Sequence, residues 1–78
     1  MGKATIHVHL KPGVFDPEGP KIKQALHMLG YTDIGAIRVG KLYEIKTDKP
    51  TPENVAAICN ALLVNPVIED YRILELEE

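Results

Sequence analysis

The sequence predicts an α+β fold of the ferredoxin-like kind, a βαββαβ two-layer sandwich whose antiparallel sheet carries both helices on one face. Three observations predict it. Residues Thr5 to Leu10 alternate polar and apolar side chains, the period-two signature of a half-buried strand. Two later stretches place apolar residues at helical spacing behind proline-containing start signals. The remaining runs are rich in β-branched and apolar residues and are bounded by glycine or proline. Strand, helix, strand, strand, helix, strand is the split-βαβ order.

In the first strand Ile6, Val8 and Leu10 share one face, and Thr5, His7 and His9 share the other. Lys11-Pro12-Gly13 ends it. Asp16-Pro17-Glu18 opens a helix with a capping carboxylate, a proline with no amide to satisfy, and an acid in the first turn; Gly19-Pro20 is the alternative start. Ile22, Ala25, Leu26 and Leu29 form its apolar stripe, and Gly30 is placed to end it in the left-handed conformation. Two strands are expected next, Ile34 to Val39 and Leu42 to Thr47, joined by a tight hairpin turn at Gly40-Lys41. Thr51-Pro52-Glu53 opens the second helix, whose stripe is Val55, Ile58, Cys59, Leu62 and Leu63. Asn65-Pro66 stops it, because proline disfavours helical geometry at the residue before it.

The last strand is expected from Val67 to Leu76. Ile68, Leu74 and Leu76 fall on one of its faces, Val67, Tyr71 and Ile73 on the other. A strand that is apolar on both faces needs cover on both. Two helices on one side leave the other open, which predicts an interface with a second copy or a partner.

With 78 residues the chain is expected to form a single domain, 1–78. A domain this small buries only about 60% of the surface its unfolded chain exposes, so association is a common remedy. Its 45% hydrophobic and 26% charged residues suit a folded globule. A net charge of −2 gives no long-range attraction to nucleic acid or to an acidic membrane. The lone Cys59 excludes an internal disulfide and suits a reducing compartment. Nothing near the N-terminus reads as a signal peptide, Ile6 stands where myristoylation needs Ser or Thr, and no run approaches a membrane span. The expectation is a cytoplasmic protein with no membrane partner.

Each candidate chemistry has a plainer account. His7 and His9, two apart on a strand, could share a zinc ion, but no spacing supplies the third ligand that such sites use. Two polar residues on the less buried face of a strand suffice. Glu69 and Asp70 are neighbours on a strand and face opposite ways, so they do not converge as a catalytic pair. Cys59 sits in an apolar stripe, where an inert thiol is the default. Lys11-Pro12-Gly13 and Gly40-Lys41 invite a phosphate, yet Asp16 and Glu18 oppose an anion at the helix start, and no P-loop sequence is present. RNA recognition on the sheet needs stacking aromatics, and the first strand has none; the pI of about 5.9 argues the same way. The residues point to binding or scaffolding.

Four segments resemble one family. They are Leu10-Lys11-Pro12-Gly13-Val14-Phe15-Asp16-Pro17-Glu18-Gly19, Ala25-Leu26 with Leu29-Gly30-Tyr31, Arg38-Val39-Gly40-Lys41, and Leu62-Leu63-Val64-Asn65-Pro66-Val67-Ile68-Glu69-Asp70-Tyr71. Together they resemble the PurS-type small subunit of phosphoribosylformylglycinamidine synthase. Departures are mild: Phe15 replaces a more usual leucine and Glu18 a common glutamine. The resemblance implies a non-catalytic small subunit of an ATP-dependent, glutamine-hydrolysing ligase of de novo purine (IMP) biosynthesis. It implies a homodimer, or a tetramer, that holds a large synthetase subunit and a glutaminase subunit together and assists ammonia transfer between them. No cofactor is expected in this chain, ATP and Mg being used by the large subunit. The expected partner-contact residues are Lys11, Pro12, Gly13, Asp16, Gly40, Lys41, Asn65, Pro66, Glu69 and Asp70. The rival reading is a stand-alone small-molecule-binding regulatory domain on the same plan.

Overall fold

A computed structural model describes residues 1–78. The elements are β1 (Gly2–Leu10), α1 (Glu18–Met28), β2 (Lys41–Thr47), α2 (Pro52–Ile58) with a π-helical turn over Cys59–Leu63, and β3 (Glu69–Glu77). The order is βαβαβ. The sheet runs β2-β1-β3, antiparallel throughout, with β1 in the centre. No helix is long and apolar enough to cross a membrane.

The α+β class and the antiparallel sheet follow the sequence reading, but the count of strands does not. Residues 34–39 form no strand, and Gly40-Lys41 makes no hairpin turn. Two backbone groups of this segment are engaged instead by side chains of α1 and of the loop before it. His27 Nε2 lies 2.9 Å from the Ile34 carbonyl oxygen, and the Val39 N–H donates to Asp16 Oδ2 at 3.3 Å. These two backbone groups are met by side chains and not by a neighbouring strand. β2 pairs with β1, from Gly2↔Thr47 to Val8↔Lys41.

The final strand begins two residues later than expected. Asn65 to Ile68 form a turn in which the carbonyl oxygen of Asn65 accepts from the N–H groups of Ile68 and Glu69. More consequentially, the β1–β3 register shifts between Thr5 and Ile6: Thr5 faces Glu75 while Ile6 faces Ile73. Leu74 is the extra residue of a β-bulge. The bulge reverses the alternation, so Tyr71, Ile73 and Leu76 all pack against the same core. The doubly apolar pattern thus marks a change of parity and not a strand covered on both faces.

The core is one-sided. Ala4, Ile6 and Val8 of β1 meet Val55, Cys59 and Val64, with Tyr43, Ile45, Leu63, Tyr71, Ile73 and Leu76 around them. α2 is seated there by its cap, Thr51 Oγ1 accepting from the Asn54 N–H at 3.2 Å. Its last turn widens to i→i+5 bonding, with the Val64 N–H reaching the Cys59 carbonyl oxygen. α1 does not join α2 on this face, contrary to the expected sandwich. It contributes no residue to the core, and its Ile22, Leu29 and Met28 are exposed. Its first turn lies against residues 37–39, with Gly19 beside the Ile37 carbonyl oxygen and Asp16, just before the helix, bonded to Val39. At its far end Gly30 adopts φ 102° in a Schellman motif, Tyr31 N–H to Leu26 and Gly30 N–H to His27.

The result is an elongated molecule, 47 × 25 × 14 Å, with a radius of gyration of 15.8 Å. A compact domain of this length has a radius of about 11.5 Å.

Candidate functional site

The predicted contact residues gather at one end of the sheet, where β1 leaves it and β2 and β3 enter. Lys11, Pro12, Gly13 and Val14 form a turn closed by the Val14 N–H on the Lys11 carbonyl oxygen at 3.1 Å. Gly13 has φ 84°, the left-handed value that the third position of a type II turn requires, behind a proline. This turn lifts the chain off the sheet toward Asp16.

Asp16 is the organising residue. Its Oδ1 accepts from the N–H groups of Glu18 and Gly19 at 3.0 and 3.1 Å, capping α1, while Oδ2 accepts from Val39. The Gly19 N–H, with those of Val39 and Glu18 and the nearby Arg38 charge, outweighs desolvation and holds the carboxyl below its usual range. One carboxylate therefore ties the helix start to the segment that enters β2. Gly19 completes the joint, because a Cβ there would overlap the Ile37 carbonyl oxygen. Gly40 works similarly against β1: a Cβ would stand 2.8 Å from both the Val8 carbonyl oxygen and His7 Nε2. Its glycine serves close approach and not a turn.

The opposite strand is fixed to the same corner. The Lys11 N–H donates to the Ile68 carbonyl oxygen at 2.8 Å. Lys11 Nζ lies 3.4 Å from Asp70, and Lys41 Nζ 3.8 Å from Glu69. Such part-exposed pairs contribute about 0–1 kcal/mol each and act mainly to fix register. Glu69 also accepts from the Asn65 N–H at 2.8 Å, and Asn65 Oδ1 accepts from Val67. Asn65 and Pro66 thus shape the turn that delivers Glu69 and Asp70 to the corner.

Between these elements lies a cavity of ≈ 770 Å³. It opens beside His7 and His9 of β1 and Arg72 of β3, and takes Lys11, Pro12, Gly13, Asp16, Arg38 and Gly40 into its wall. The two imidazoles are stacked, with centroids 5.3 Å apart. No group of three or more His, Cys, Asp or Glu side chains is placed to hold a metal ion. Cys59 lies away from this corner, buried in the core, where desolvation pushes its thiol up. Sequence reading missed Gly19, Arg38 and Arg72 as parts of the corner. The signal for Gly19 was its place three residues after a capping Asp; nothing local marks Arg72, which the β1–β3 register alone sets opposite His7.

Comparison with known proteins gives a single family. The family model PurS, Phosphoribosylformylglycinamidine (FGAM) synthase, matches residues 3–77. The phosphoribosylformylglycinamidine synthase subunit PurS of Bacillus subtilis is 41% identical over 81 aligned positions, covering 100% of this chain and 95% of that protein. Among solved structures, the PurS of Methanocaldococcus jannaschii, one of the subunits of formylglycinamide ribonucleotide amidotransferase, superposes with a TM-score of 0.88 at 38% identity, covering 100% and 98% of the two chains. A chain of the Thermotoga maritima PurLQS structure matches with a TM-score of 0.81 at 30% identity, covering 99% and 96%. Family model, full-length relatives and superposed structures agree: this chain belongs to the PurS family of phosphoribosylformylglycinamidine synthase subunits.

Proposed function

We propose that this chain is the non-catalytic adaptor of a cytoplasmic phosphoribosylformylglycinamidine synthase, seating a glutaminase subunit and a large ATP-using synthetase subunit in register. The observation that carries this reading is the match to a chain of the Thermotoga maritima PurLQS structure. The chemistry of the reaction explains why such a subunit is useful. Ammonia released into neutral water is mostly protonated, and ammonium is no nucleophile. Two active sites held in fixed and dry register raise the effective concentration of the reacting amine. The adaptor needs no cofactor of its own, with ATP and Mg bound by the large subunit.

The reading includes self-association into a homodimer, or a tetramer, of single-domain chains. Only 8 of 78 residues are buried in the isolated chain, and the apolar stripe of α1 has no cover within it. A second copy laid on that stripe would supply the missing half of a core. The loop-end corner then remains for the other subunits, contacted through Lys11, Pro12, Gly13, Asp16, Gly40, Lys41, Asn65, Pro66, Glu69 and Asp70.

The test is assembly. Mixed with its two large partners, the chain should elute within one complex of all three, and charge reversal at Lys11 and Lys41 should remove it while its circular dichroism is unchanged. Elution of the wild-type chain apart from both partners would refute the adaptor reading.

A further inference from the structure

The cavity at the loop end holds more positive charge than the fold uses. Lys11, Arg38 and Arg72 line it against a single carboxylate, Asp16, although the whole chain carries −2. At the other end of the sheet Glu75 lies beside Glu77 and Glu44, with Lys3 paired to Glu44 at 3.7 Å, and the Glu75 carboxyl is raised chiefly by its hydrogen bond to Glu77. Within the cavity, Lys11 is paired with Asp70, and Asp16 has both oxygens on backbone N–H groups. Arg38 commits one nitrogen to the Leu10 carbonyl oxygen at 3.0 Å, and neither Arg38 nor Arg72 is in an ion pair. Two guanidinium groups from distant parts of the sequence thus face one hollow with donors to spare.

Other features of the cavity suit a ligand. His9 Nδ1 is buried with no hydrogen-bond partner, an orphan polar atom that calls for an explanation. Phe15 and Ile37 are among its apolar lining residues, and Phe15 is 79% exposed. A volume of ≈ 770 Å³ lies within the ~300–1,000 Å³ typical of small-molecule sites. The walls are also fixed, by the three bonds of Asp16 and by the close approach of Gly40 to β1.

We propose that this cavity binds a small organic phosphate, its phosphate taken by Arg72 and Arg38 beside His7 and His9, and its ring resting on Phe15 and Ile37. The fork of donors on arginine matches phosphate oxygens. The anion sits on the sheet side of the corner, not at the start of α1, which Asp16 already caps. No reaction is assigned to it. The cavity shares Lys11, Pro12, Gly13, Asp16 and Gly40 with the contact surface of the adaptor reading; because the test uses the full chain alone, its failure leaves that reading untouched.

The probes are AMP, inorganic phosphate and adenosine, added at low ionic strength because exposed charges are screened by salt. The readout is NMR of the His7, His9 and Arg72 side chains and the Gly40 amide. AMP should shift all four saturably with a dissociation constant of about 1 mM or less, phosphate more weakly, and adenosine not at all. Arg72→Ala should weaken AMP at least ~tenfold, while Lys46→Ala, which removes an exposed cation of β2 outside the cavity, should change it less than ~twofold. No saturable response to AMP, equal response to adenosine, or equal losses in the two variants would overturn the proposal. Phosphate binding as tightly as AMP would overturn the part given to Phe15 and Ile37.

Discussion

Gly19→Ala offers a test in which local propensity and tertiary structure predict opposite signs. Gly19 lies in the first turn of α1, where alanine is the better helix former by roughly 0.5–1 kcal/mol. A glycine also leaves the unfolded chain freer, so on both counts the substitution should stabilise. The structure predicts the reverse, since a Cβ at this position overlaps the carbonyl oxygen of Ile37 and comes within 3.0 Å of Asp16 Oδ2. A backbone atom cannot swing aside as a side-chain tip can. Relief requires α1 to move off residues 37–39, straining the Asp16 bond to Val39. Overpacking of this kind costs about 1–3 kcal/mol, and for a domain this size each kcal/mol lowers the melting temperature by roughly 4–8 °C. The control is Gly35→Ala, at a position with open space around it and no positive φ, which should stabilise by about 0.4–1 kcal/mol. Urea unfolding of both variants at one protein concentration gives the answer, concentration being fixed because association adds to apparent stability. A Gly19→Ala chain as stable as Gly35→Ala would refute the account of the corner.

Three further outcomes are expected. The folded-state carboxyl of Asp16 titrates below its unfolded value, so it contributes stability above about pH 4 that is lost as pH falls through the folded value; Asp16→Asn should be less stable than wild type at pH 7, with the gap closing in acid unfolding below pH ~4, and a gap independent of pH would contradict this. Light scattering at micromolar concentration should give a mass above the 8.6 kDa of one chain, and Ile22→Asp with Leu29→Asp should raise the dissociation constant at least ~100-fold, each buried aliphatic side chain being worth about 1.5–3 kcal/mol; a monomeric wild type would exclude α1 as an interface. Cys59 is fully buried and its thiol is raised by desolvation, so a thiol reagent should label it only at the rate of global unfolding, and rapid labelling of the native chain would show that the core is open.

Much of this architecture was legible in the sequence because its signals are local. The alternation of β1, the caps at Asp16 and Thr51, and the glycine at the end of α1 depend on near neighbours, and each is found where the pattern placed it. What was not legible depends on contacts between distant segments. Residues 34–39 have the composition of a strand, but their polar groups go to Asp16 and His27 of an earlier element, which no period in the sequence records. The bulge at Leu74 changed the meaning of an alternation that was itself read correctly. The corner was found in part for the same reason. Lys11, Pro12 and Gly13 are marked by turn chemistry and Gly40 was found through a turn it does not make, whereas Arg38 and Arg72 reach the cavity through register and loop path.

The claim at the centre of this account is that the chain acts by joining other subunits, and glutamine-dependent synthesis measures that directly. The purified synthetase and glutaminase subunits, given glutamine, ATP and formylglycinamide ribonucleotide, should form little product until this chain is added, and should then gain activity up to a fixed stoichiometry. Equal turnover with and without the chain, or turnover by the chain alone, would contradict it.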